Sequence, residues 1–230
     1  MTEASSDFAE AWERFQAMQS LRLLQQTQEW EWTRGRADYA AFLFAVSDEA
    51  ARNHITSRIA QVSSTPGVDP YPEHYWHVTV KGVGFVCDEP WRPDEVSREG
   101  LEQLAEDARA ALEAVPCFDV TLGLPNAFEE VVFMEVYDGG IVRSLNQRLI
   151  ETLPGLARYP IDGDAFLPHI SIARFDSDEG LAELKGTLAA MRDEGAGPSF
   201  RVHDMMLIQA HLTAEAPEFE MVALYNLAGD

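Results

Sequence analysis

A strand, a helix, a loop rich in proline and glycine, and a second strand bearing the pattern His-x-Thr/Ser occur twice in this chain of 230 residues. No other feature restricts the fold as much. The first unit opens with the apolar run Tyr39–Val46, which suits a strand buried on both faces. Ser47-Asp48-Glu49-Ala50 starts a helix to about Val62, and the loop 63–74 follows. Tyr75-Trp76-His77-Val78-Thr79-Val80-Lys81 then opens a strand to about Cys87, in which Gly82 and Gly84 bend the chain or admit another backbone. The second unit runs from the strand Glu129–Tyr137 through Gly139-Gly140, a helix over Ile141–Leu153 and a loop to Asp164. It ends on the strand Ala165–Phe175, which holds Pro168-His169-Ile170-Ser171-Ile172-Ala173-Arg174. Phe42 stands almost as far ahead of His77 as Val132 stands ahead of His169. One layout with the motif in the same slot predicts a duplicated lobe. Two lobes related by a pseudo-twofold axis bring both motif strands to equivalent places around a single cleft.

Side chains alternate across a strand, so His77 and Thr79 share one face, and His169 and Ser171 share one face. The neighbours Trp76, Val78, Val80, Ile170 and Ile172 then point to the core. A lone His-x-Thr arises often by chance. Two of them in matching slots of a repeat outweigh the alternative of two ordinary core histidines. Two imidazoles, each beside a hydroxyl, suit acid–base chemistry on a phosphate. Free imidazole titrates near pH ~6.5, so one ring can accept a proton while its partner donates one. Thr79 and Ser171 offer hydrogen bonds to non-bridging oxygens.

Tyr75 and Lys81 have the parity of His77 and are expected to line the cleft, Lys81 bringing positive charge. Phe42 and Phe44 are candidates for stacking on a base, with core packing the more ordinary use. His54 is expected on a helix surface, His74 in a loop, and His203 and His211 on strands. Asp162-Gly163-Asp164 reads as a solvated turn rather than a cation site. No strong metal motif stands out, so neither a metal nor a cofactor is expected.

Charge narrows the partners. A net charge of −22 argues against a broad basic footprint for duplex DNA, folded RNA or an anionic membrane. A small anion can still bind where a few cations line a cleft. The two cysteines, Cys87 and Cys117, are expected as buried free thiols rather than a disulfide. The polar, acidic stretch Met1–Asp7 is unlike a signal peptide, and no apolar run is long enough to span a bilayer. A cytoplasmic location is the simplest expectation.

Ser6 and Asp7 are placed to cap a helix to about Trp30, with Phe8, Trp12, Phe15, Leu23 and Trp30 on one side. Such a stripe is compatible with docking on the domain, with a homo-oligomer contact, or with a lid over the site. Further helices are expected over Asp94–Ala114 and Asp178–Arg192, and strands over Cys117–Leu124, Ser199–His211 and Glu218–Leu227. The division is therefore an N-terminal helix and linker over residues 1–35 and a single bilobal domain over 36–230. The fold class is α+β, two lobes of antiparallel sheet flanked by helices, with the extra helix in front.

From about Arg36 to Leu227 the chain resembles the two-histidine (2H) phosphoesterase superfamily, in its LigT-like or 2′-5′ RNA ligase branch. The likeness is carried by His77-Val78-Thr79-Val80 and His169-Ile170-Ser171-Ile172. It is helped by the Phe-rich Phe42-Leu43-Phe44-Ala45 and by Pro168 and Ala173-Arg174 around the second motif. Gly82 departs from the family, in which a large apolar residue is common there. The resemblance implies the bilobal fold and hydrolysis of a phosphodiester, often a 2′,3′-cyclic one, by His77 and His169 with Thr79 and Ser171 on the phosphate. It alone makes Arg174 a candidate ligand, since strand parity points that side chain away unless a bulge intervenes. The expected substrate is a small cyclic or 2′-5′-linked nucleotide or a short RNA end. The alternatives are an RNA-end ligase, which the acidity disfavours, a nucleotide-binding module without catalysis, and an interaction protein built on the N-terminal helix.

Overall fold

The computed structural model describes residues 3–23, 32–212 and 216–229. The chain runs α1 (Glu3–Ala17), β1 (Asp38–Ala45), α2 (Glu49–Val62), β2 (Val68–Pro70), β3 (His77–Val86), β4 (Glu95–Val96) and α3 (Arg98–Leu112). It continues with β5 (Phe118–Ala127), β6 (Val131–Tyr137), α4 (Ile141–Thr152), β7 (His169–Phe175), α5 (Leu181–Asp193), β8 (Ser199–Val202), β9 (Asp204–His211) and β10 (Phe219–Asn226). The strands form two five-stranded sheets, ordered β10-β9-β1-β3-β4 and β8-β5-β6-β7-β2. All pairings are antiparallel except β3 with the short β4. This is the expected α+β architecture of two lobes. Each motif strand occupies the same place in its sheet, antiparallel to the first strand of its own unit and flanked by a short edge strand. β3 and β7 touch where the lobes meet.

Local chemistry accounts for most boundaries. Asp48 caps α2 by accepting from the Ala51 amide at 2.9 Å. Ser97 caps α3 through Gly100 N at 3.0 Å, so this helix starts later than its acidic run suggests. Asp94 and Glu95 are engaged elsewhere, both paired to Arg36, at 3.0 and 2.9 Å. Gly84 has φ +141°, and a Cβ there would stand 2.6 Å from the Asp94 carbonyl. Its absence lets the chain before β4 approach, and Phe85 N donates to that carbonyl at 2.8 Å. The two cysteines are free and half-buried.

Three features depart from expectation. α1 ends at Ala17 rather than near Trp30, and Ser6 and Asp7 lie inside it; residues 24–31 are outside those described. The strand expected over Ser199–His211 is two, because the chain changes sheets at His203: β8 pairs with β5, and β9 with β1. The loop before His77 contains β2, which belongs to the opposite lobe. Val68, Asp69 and Pro70 pair with Phe175, Arg174 and Ala173 of β7. Among the described residues, no helix is long and apolar enough to cross a membrane.

A buried amide also ties the lobes. Asn146 of α4 is fully buried. Its Nδ2 donates to Val80 O of β3 at 2.9 Å and to Asp162 Oδ1 at 3.0 Å, while its Oδ1 accepts from Gly163 N at 2.9 Å. Asn146→Ala leaves the buried Val80 carbonyl and the half-buried Asp162 carboxylate and Gly163 amide without this partner and is expected to lower stability by about 2 kcal/mol. Denaturant unfolding checks this. A loss below about 0.5 kcal/mol, the scale of an ordinary surface substitution, would mean that the amide does not hold the lobes together.

Candidate active site

Each motif histidine is fixed in the same way. His77 Nδ1 lies 2.6 Å from the carbonyl of Tyr75, and His169 Nδ1 lies 2.8 Å from the carbonyl of Leu167. A carbonyl can only accept, so Nδ1 carries the proton in both rings and Nε2 keeps its lone pair. Both acceptors sit two residues upstream of their histidine, where the chain enters the strand from an irregular segment. Each ring is also held between two aromatic side chains. His77 meets Tyr75 at 5.2 Å and Phe219 at 5.0 Å, both edge-on. His169 meets Phe128 and Phe133 at 5.1 Å each, and those two rings stack at 4.2 Å.

The two motifs come together because the chain entering β3 is laced onto β7. Beyond β2, Tyr71 N donates to Ile172 O at 2.9 Å. The Tyr71 ring stacks on Tyr75 at 4.6 Å, and Tyr75 then abuts His77. Electrostatics reports the same proximity. Burial, opposed by the hydrogen bond to the Tyr75 carbonyl and aided by charge on His169, pushes the His77 pKa down to about 4. Burial also lowers the pKa of His169. Thr79 and Ser171 are half-buried, and neither hydroxyl is engaged by another group among the described residues.

Strand alternation fails one residue past each hydroxyl. On β3 the register with β1 slips between Thr79 and Lys81, and on β7 the register with β6 slips between Ser171 and Ala173. The slip is at the same point in both lobes and re-aims everything after it. Lys81, expected at the cleft, is fully buried. Its Nζ donates to the Ala157 carbonyl at 2.7 Å and to Asp162 at 2.9 Å. Asp162 is thus a half-buried counter-ion of Lys81 rather than part of a solvated turn. Arg174 is nearly buried and its guanidinium is paired with Asp69, Nε standing 2.8 Å from the carboxylate. It clamps β2 onto β7 rather than facing a ligand. Phe42 and Phe44 are fully buried against Tyr225 and Phe118, which removes them from the candidates for base stacking. Tyr75 remains at the site, as the wall and carbonyl partner of His77.

A cavity of about 890 Å³ opens at the second motif, bounded by His169 and Ser171, by Phe128 and by residues of the N-terminal segment. His77 and Thr79 stand on the adjoining strand outside its lining. Sequence reasoning missed Phe128, Phe133 and Phe219. Phe133 lies opposite Ser171 in the β6–β7 register, so its place follows only once that pairing is known. Among the described residues no cluster of His, Cys, Asp and Glu is arranged to hold a metal ion.

Comparison with known proteins agrees with this geometry. The family model of the 2′-5′ RNA ligase superfamily matches residues 46–214. No curated protein matches. Among solved structures, TT0787 of Thermus thermophilus is similar with a TM-score of 0.60 at 17% identity, over 84% of this chain and 99% of that one. E. coli LigT complexed with NADP+ is similar with a TM-score of 0.57 at 16% identity, over 84% and 99%. A protein described as a phosphoesterase is similar with a TM-score of 0.58 at 15% identity, over 83% and 99%. At such identities the likeness speaks for the fold.

Both imidazoles titrate below the ordinary value, so each is neutral near pH 7. The unfolded chain, with histidine near pH ~6.5, binds protons that the folded chain refuses until the pH nears its lowered pKa. Stability is therefore full above about pH 6.5 and is lost as the pH falls from there toward 4, the value for His77. Unfolding measured at about pH 7 and pH 5 is expected to show this loss, with a smaller loss in His77→Asn. An equal loss in the variant would mean that His77 does not carry it.

Proposed function

Because the chain belongs to the 2′-5′ RNA ligase superfamily, the 2H phosphoesterases, we propose that it hydrolyses a phosphodiester of a small nucleotide, with a 2′,3′-cyclic phosphate as the leading substrate. The observation that carries this is the paired tautomer. Two imidazoles on touching strands each commit Nδ1–H to a backbone carbonyl and keep Nε2 for chemistry, with an unengaged hydroxyl two residues on.

With the cyclic phosphate between the motifs, one neutral imidazole takes a proton from water as the water oxygen bonds to phosphorus. The other, protonated, gives its proton to the leaving ribose oxygen as the ring P–O bond breaks. The product is a phosphate monoester with a free neighbouring hydroxyl, and the two rings have exchanged protonation states. Thr79 and Ser171 donate hydrogen bonds to the non-bridging oxygens, where negative charge must be held. Desolvation keeps one ring neutral for the base role. The anionic phosphate raises the proton affinity of the other, which supplies the acid. Running the step backwards exchanges the two roles. In support, E. coli LigT has been crystallised with 3′-AMP and with phosphate. Ligation at RNA ends is the weaker reading, because a net charge of −22 offers little attraction to an RNA surface.

His77→Ala and His169→Ala are each expected to lower turnover of a 2′,3′-cyclic nucleotide by about 10²–10⁴-fold. Thr79→Val and Ser171→Ala are expected to cost about 10–10²-fold, less than a full oxyanion donor because water can enter. Product analysis with the thermal unfolding of each variant checks both. Full activity in either histidine variant would remove the mechanism.

A further inference from the structure

We propose that the N-terminal segment closes the His169 end of the cleft into a compartment for one nucleotide, in which Arg14 binds a second phosphate of the substrate. The proposal rests on the phosphate chemistry above but concerns residues outside 46–214, the span matched by the family model.

α1 is a fixed part of the molecule. Phe8 and Phe15 are buried, Asn126 Nδ2 donates to the Phe8 carbonyl at 3.0 Å, and Lys185 Nζ caps the helix end through the Gln16 and Met18 carbonyls at 2.9 and 2.6 Å. It lies across the face of the second sheet that carries His169. Opposed residues of an antiparallel pair share a face. Phe133 is opposite Ser171, and Asn126 is opposite Phe133. Phe8 packs on Phe133 and Tyr137 of that face, at ring distances of 6.2 and 5.6 Å. A polynucleotide therefore has no open sheet to follow beyond β7. What remains is the cavity of about 890 Å³, walled on this side by Ala11, Arg14 and Met18, a size that suits a single small ligand.

Charge in that cavity is the second observation. Glu129 and Glu130 line it and would repel an anion. Nearby cations are engaged: Arg22 with Glu130 at 3.3 Å, Arg143 with Asp7 at 2.6 Å, and Arg192 with Glu135 at 2.7 Å. Arg14 is exposed and lines the same cavity, with no carboxylate of the described residues within ion-pair distance. In a chain with 39 acidic and 17 basic side chains, it is the guanidinium placed to meet an anionic group away from the reacting phosphorus, and a phosphate matches its planar fork.

The test compares adenosine 2′,3′-cyclic phosphate with the same nucleotide carrying a 5′-phosphate. The native chain is expected to favour the 5′-phosphorylated form about tenfold in kcat/KM, equal to about 1.4 kcal/mol, with the difference in KM. Arg14→Ala should bring the ratio to about one and Arg14→Lys should restore part of it. Equilibrium binding of the same two nucleotides to the native chain and to Arg14→Ala gives a readout that needs no turnover. Binding with the Arg14-dependent preference but without hydrolysis would uphold this proposal and defeat the hydrolase reading. Hydrolysis with an equal ratio in native and variant chains, or no binding of either nucleotide, would overturn it.

Discussion

The site depends on one short main-chain graft. β2 leaves the first unit and adds itself to the edge of the second sheet, pairing with β7, and the Tyr71 amide extends the contact to Ile172. From there only a few residues remain before His77. The chain must therefore enter β3 alongside β7, and two motifs remote in sequence become neighbours. Asp69 and Arg174, opposed in register, clamp the graft with an ion pair. The Tyr71–Tyr75 stack carries its position to the His77 ring. Arg174 thus fixes the backbone that leads into the first motif.

Around each imidazole the fold solves the same problem twice. Each ring has Nδ1 tied to a carbonyl and its faces or edges set against aromatic carbon. That fixes orientation and tautomer. The consequence is electrostatic. Buried imidazoles disfavour protonation, and two close together disfavour it further. Both rings are therefore neutral near pH 7.

Two cations are used structurally. Lys81 is buried and Arg192 half-buried, and each donates hydrogen bonds to a carboxylate and a carbonyl, so that both hold elements together. A lysine on a motif strand reads as a ligand only if alternation persists. The register slip after Thr79 turns it into a strut toward Asp162, in the loop before the second motif. This links the two units a second time, next to the Asn146 amide.

Much of this was legible in the residues. Period-two alternation is a property of the local backbone, so His77 with Thr79 and His169 with Ser171 could be placed on common faces from spacing alone. The repeated order of strand, helix, loop and strand carried the two lobes, and the apolar runs carried the core. Register and sheet membership are different in kind, because they are set by pairing between segments distant in the chain. Hence the slips that withdrew Lys81, the grafting of β2, the change of sheet at His203, and the rings of Phe128, Phe133 and Phe219 around the histidines belonged to the tertiary structure. The helix of α1 could be recognised from its apolar stripe, but its role as a wall beside His169 could not, since a stripe specifies that a face is buried and never what it is buried against.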